Sequence, residues 1–168
     1  MDKRWALIII ILVVGVGSMY YIVDNSNTVG SAIATFSKTT ITIPDGFAVS
    51  GSESYSVELY NKKNTEKIEI LDFEKRRDIK NILGNMSAAF QEQDDYDNIT
   101  NKTVKINKVT VYQSMLKSDN DTLIISCFYK DHRAYCILMN GYESMKKVNE
   151  DLDFIIETMH PDYKQSQD

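Results

Sequence analysis

The residues of this 168-residue chain with chemistry to offer are two cysteines, two histidines, a knot of aspartates and four Asn-X-Ser/Thr triplets. Cys127 and Cys136 flank Asp131-His132. With those two at the turn of a hairpin, the cysteines face each other. Facing residues of an antiparallel pair lie about 4.5–5.5 Å apart at Cα, inside the disulfide range of about 4.4–6.8 Å. Two states satisfy this spacing: a cross-strand disulfide, which persists outside the cytoplasm, and a pair of buried thiols serving as small apolar side chains. His132 is expected in an exposed turn and His160 at a helix end, where a cation suits the dipole. Neither lies near a Ser or Cys in a nucleophile motif, and two cysteines with two distant histidines do not make a zinc set. Asp94, Asp95 and Asp97 lack the glycine and distal glutamate of a calcium loop and read as a solvated helix end. No catalytic, cofactor-binding or metal-binding residue is assigned, and no cofactor is expected. Asn85, Asn98, Asn101 and Asn120 begin glycosylation triplets. Asn98, Asn101 and Asn120 are expected in loops and are the candidate acceptors, whereas Asn85 falls inside a helix.

The elements that must position these residues are legible from periodicity. Thr39–Ile43 is β-prone and runs into Pro44-Asp45-Gly46, a turn. Tyr55, Val57 and Leu59 alternate with polar residues, as do Ile68 and Ile70, and Asn61-Lys62-Lys63-Asn64 separates the two runs. The period then changes. Ile79, Ile82, Leu83, Met86 and Phe90 form one helical stripe with Asp78 as N-cap. Strands resume over 103–106, 109–116, 122–129 and 134–139, joined by short links that favour antiparallel neighbours. A second helix buries Met145, Val148, Leu152, Ile155, Ile156 and Met159 and stops at Pro161. The order is that of an α+β domain with an antiparallel sheet. In the last hairpin Ile125, Cys127, Tyr129, Ala134, Cys136 and Leu138 share one face, and Ile124, Phe128, Tyr135, Ile137 and Met139 share the other. Both faces are apolar, which predicts central strands covered on both sides by the two helices.

Ahead of this domain, Trp5–Val23 contains no charged residue. A membrane-spanning helix needs about 20 apolar residues. Lys3 and Arg4 precede the run and Asp24 follows it, so the amino terminus is expected in the cytoplasm and the rest outside. A cleaved signal peptide is the competing reading, with Gly15 and Gly17 at the −3 and −1 positions of a cut before Ser18; the protein is then secreted. The expected organisation is a cytoplasmic stub over 1–4, a transmembrane signal anchor over 5–23, a tether over 24–37, an extracytoplasmic domain over 38–160 and a polar tail over 161–168. The net charge of −5 disfavours nucleic acid, which rewards clustered Lys and Arg, and docking on anionic lipid.

Ile43-Pro44-Asp45-Gly46-Phe47 resembles the "YP-x-GW" opening of PsbP/Mog1-type domains, with Phe47 in place of Trp. The similarity continues through the helix at Ile79–Phe90, the step Ile106-Asn107-Lys108-Val109, where such families often have Asn-Gly, and the final hairpin and helix. The resemblance implies an α/β/α sandwich with a central antiparallel sheet of about six or seven strands and two main helices. It also implies a non-enzymatic binding or assembly module of the kind that serves membrane complexes. The resulting expectation is a membrane-tethered accessory module with a protein partner in the cell envelope. The alternative is an envelope hydrolase whose site forms only in three dimensions. A sensor is disfavoured, because Met1–Arg4 is too short for a cytoplasmic output.

Overall fold

The computed structural model describes residues 32–161 apart from 64, 75, 76, 95, 97 and 120. The apolar segment 5–23, tether residues 24–31, Asp95, Asp97, Asn120 and the tail 162–168 lie outside the described residues. No helix among the described residues is long and apolar enough to cross a membrane.

Among the described residues, ten strands and two helices follow one another as β1 (Ile33–Phe36), β2 (Thr39–Thr42), β3 (Ala48–Ser52), β4 (Ser56–Asn61), β5 (Glu66–Asp72), α1 (Ile79–Asp94), β6 (Asn98–Ile106), β7 (Val109–Lys117), β8 (Thr122–Lys130), β9 (Arg133–Asn140), α2 (Met145–Thr158) and β10 (His160–Pro161). Seven strands form the main antiparallel sheet in the order β3-β4-β5-β9-β8-β7-β6, and β1-β2-β10 form a smaller one. The paired β8 and β9 sit inside the sheet, and six consecutive residues of each are buried. Alternation sorts them onto two cores as expected. Ile124, Phe128, Tyr135, Ile137 and Met139 pack with Val148, Leu152, Ile155, Ile156 and Met159 of α2 and with Ala34, Phe36 and Ile41 of the small sheet. Ile125, Cys127, Ala134, Cys136 and Leu138 pack with Ile79, Ile82, Leu83 and Met86 of α1.

Local chemistry sets the boundaries. Asp78 Oδ1 accepts from Lys80 N at 3.1 Å and Asn81 N at 3.2 Å, capping α1 as expected. Ser144 caps α2 by accepting from Lys147 N at 3.3 Å. Lys130 Nζ donates to the Ile156 carbonyl at the other end of α2. Asn107-Lys108 and Asp131-His132 are two-residue hairpin turns with every φ positive, from 47° to 65°, which matches the right-handed strand twist.

Three expectations require correction. Residues 33–37, placed in the tether, form β1 and its turn, with Ala34 and Phe36 buried. Four residues with only two inward side chains carry too little periodicity to stand out. Asn98 and Asn101 lie in β6 rather than in loops. All nine residues of β6 pair with β7, and an edge strand satisfies its inward backbone groups without apolar side chains on both faces. His160 lies beyond the end of α2, in β10, opposite Thr40 of β2.

Candidate functional site

Among the described residues, charged and polar side chains gather in four places. The first is where the small sheet meets the large one. Asp72, at the end of β5, has a fully buried side chain and an ion pair with Arg133 of β9 at 2.7 Å. Arg133 Nε donates to both Asp72 oxygens at 3.1 and 3.2 Å, and its Nη2 also donates to Ser37 Oγ at 3.1 Å. Thr39 Oγ1 donates to Asp72 Oδ2 at 2.9 Å and lies 2.9 Å from the Tyr135 hydroxyl. Glu74 N donates to Asp72 Oδ1 at 2.7 Å. Burial pushes the Tyr135 phenol up to about 12. Asp72 thus has its lone pairs occupied and Arg133 its fork engaged. The cluster ties β2, β5 and β9 together and leaves neither a basic nor a nucleophilic group available.

The second cluster fixes the start of α2. Asp151 accepts from the Tyr142 hydroxyl at 2.9 Å and from Lys147 Nζ at 3.0 and 3.2 Å. Burial and the adjacent carboxylate hold the Tyr142 phenol well above its ordinary range.

Tyr142 also borders the third place, a shallow open bay formed with Ser118, Asp119, Asp121, Thr122, Gly141 and Glu143. Gly141 is obligatory there. Its φ is +75°, and a Cβ would lie 2.6 Å from the Thr65 carbonyl oxygen. Asp121 is engaged by the Tyr96 hydroxyl at 3.1 Å and by Thr122 N at 2.7 Å. No cluster of three or more metal-ligating side chains occurs among the described residues.

The fourth place is on the α1 side of the main sheet. The main contacts of α1 are with β7, β8 and β9. Beyond β9, the same face carries Glu58 and Tyr60 of β4 and Lys67, Glu69 and Leu71 of β5, all half-buried. Glu58 and Glu69 are direct cross-strand partners, so their Cβ atoms lie about 4.5–5.5 Å apart. Gly51 of β3 continues the row outward opposite Glu58, where a Cβ would stand 3.2 Å from Glu58 Oε2. Leu138 of β9 closes the row inward. Burial, then Glu58 and Glu53, push the Glu69 carboxyl up to about 7. Glu58 is raised by burial and by Glu53, against a lowering from Lys67. Neither carboxylate is salt-bridged among the described residues.

The residues singled out by type do not converge. Cys127 and Cys136 are paired in register with Cα atoms 4.2 Å apart and sulfurs 2.01 Å apart, the geometry of a cross-strand disulfide beneath α1. His132 is exposed in the β8–β9 turn, as expected, and His160 is exposed in β10. Asn101 is exposed in β6, and its Oδ1 accepts from Ser114 Oγ. The Asp72–Arg133 pair escapes sequence reasoning because its members are distant in the chain. The Glu58–Glu69 pairing was within reach, since a hairpin closing at Asn61 and Glu66 sets that register.

No family model matches the sequence, and no curated protein matches it significantly. Solved structures do resemble it in fold. The solution structure of cyanobacterial PsbP (CyanoP) from Synechocystis aligns with a TM-score of 0.50 and 11% identity, covering 83% of this chain and 99% of that one. A crystal structure from Bacteroides thetaiotaomicron aligns with a TM-score of 0.50 and 16% identity over 76% of this chain; the alignment spans about half of that protein, 46%. The α+β architecture, with two helices and a central seven-stranded antiparallel sheet, is PsbP-like.

Proposed function

We propose that this chain is a membrane-tethered, extracytoplasmic accessory module that binds a protein of the cell envelope and performs no catalysis of its own. The observation that carries this reading is the likeness in fold to CyanoP, which extends over essentially the whole of that protein. The PsbP-like fold is consistent with a non-catalytic accessory role. The local chemistry agrees: the one strong buried ion pair among the described residues is saturated, and the polar bay is open rather than enclosed. The tether rests on the uncharged run Trp5–Val23 with Lys3 and Arg4 before it. Anchoring raises the local concentration of the domain at membrane partners.

The test is crosslinking of tagged full-length protein in native membranes, followed by identification of what is captured. A discrete envelope protein is expected, recovered in proportion to crosslinker and competed by untagged protein. Failure to capture any partner, together with turnover of an envelope substrate, would establish the hydrolase alternative.

A further inference from the structure

The face of β3, β4 and β5 beside α1 is a shelf with an unusual charge arrangement. A sheet interior normally avoids like charges in direct opposition, which destabilise the pair. Here Glu58 and Glu69 are opposed near the middle of the row Gly51–Glu58–Glu69–Leu138. Glycine at the outer position places no side chain over Glu58. The neighbouring rows supply half-buried apolar surface through Leu71 and Tyr60, and buried Leu138 closes the inner end. Among the described residues, Glu58 and Glu53 act on Glu69, Lys67 acts on Glu58, and β9 opposes Glu69 with Leu138. Among the described residues of β4 and β5 on this face, Glu58 and Glu69 outnumber Lys67, and α1 lies over the neighbouring β7, β8 and β9.

We propose that this shelf is the docking surface for an arginine-bearing segment of the protein partner, with a guanidinium bridging Glu58 and Glu69. Two carboxylates on neighbouring strands match the reach of a planar five-donor fork, which a point-charge ammonium engages less completely. Apolar side chains flanking the arginine pack on Tyr60 and Leu71. The inference rests on the binding-module reading and names the chemistry of its partner. Without a cation Glu69 is half-protonated near neutral pH. A bound guanidinium favours the ionised form, so docking releases a proton.

Full-length protein in detergent micelles is titrated into a fluorescein-labelled hexapeptide of alternating arginine and leucine, with empty micelles subtracted. Saturable binding is expected to tighten about tenfold from pH 6 to pH 8, following the ionised fraction of Glu69. Binding is expected to weaken at least about tenfold in Glu58→Gln/Glu69→Gln. Glu150→Gln/Glu157→Gln removes the same charge from α2 and is expected to bind as the parent does. Calorimetry in buffers of different ionisation heat reads the released proton. Equal binding by parent and Glu58→Gln/Glu69→Gln, or equal loss in both double variants, overturns the proposal. So does saturation by calcium chloride without any response to the peptide. Crosslinked capture of a partner that survives Glu58→Gln/Glu69→Gln leaves the accessory role standing and removes only this shelf from it.

Discussion

Asp72 shows how one side chain organises a junction. Its carboxylate is fully buried and meets Arg133, Thr39 and the Glu74 amide. Asp72→Asn keeps the shape but leaves the largely buried guanidinium without its counter-charge. A loss of about 3 kcal/mol in urea unfolding is expected, whereas Lys146→Gln, which breaks an exposed pair on α2, changes stability by less than about 0.5 kcal/mol. Glu69 works in the opposite direction. Its folded carboxyl titrates near 7 against an unfolded value of 4.5, so the folded state holds the extra proton between those values. The stability it contributes is complete below pH 4.5 and is lost as pH rises through 7. Glu69→Gln is therefore expected to raise stability at pH 8 by up to about 3 kcal/mol and to change it little at pH 4.5, read from paired denaturation curves. For Cys127 and Cys136, intact mass after alkylation of the unfolded, unreduced protein is expected to show neither thiol modified; modification of both would identify free thiols. The cysteine pairing could be derived from the sequence because a two-residue turn sets the register. The Asp72–Arg133 pair could not, because neither residue's neighbours in the chain reveal its partner.

Elements with strong periodicity were readable and short or polar ones were not. The two helices and the strands β7, β8 and β9 lie where alternation and the helical stripe place them. Strands β1, β3 and β10 carry no such signal. β1 offers two inward residues, β3 is almost wholly exposed, and β10 is two residues long. Their strand conformation comes from pairing with a neighbour already in place. Both edges of the main sheet carry devices against further pairing. β3 changes register between Val49 and Gly51, and β6 displays exposed Lys102 and Lys105. The hairpin turns hold non-glycine residues in left-handed conformations, Lys108 at φ 65° among them. Such a residue is strained where glycine is not. Lys108→Gly is expected to stabilise the fold by about 0.5–1 kcal/mol, seen as a higher denaturant midpoint at unchanged slope.

For the whole molecule, β1 shortens the linker to the apolar segment. Only residues 24–32 separate Val23 from the first strand, a span of at most about 30 Å when fully extended. The anchored reading then confines the domain to a shallow layer above the bilayer. Full-length protein is expected to remain in the membrane pellet through alkaline carbonate extraction, with the domain digested by protease added outside intact cells. A soluble product beginning at Ser18 would show cleavage instead. Hydrophobic periodicity, turn residues and the arithmetic of one hairpin contained the α+β class, the two-faced sheet and the cysteine register. Each of these is written in the spacing of residues along a single segment. The buried Asp72–Arg133 junction, the polar bay and the half-covered acidic face are products of strand order and of where α1 comes to lie. They depend on which distant segments become neighbours, and packing free energy distributed over the whole core selects that arrangement.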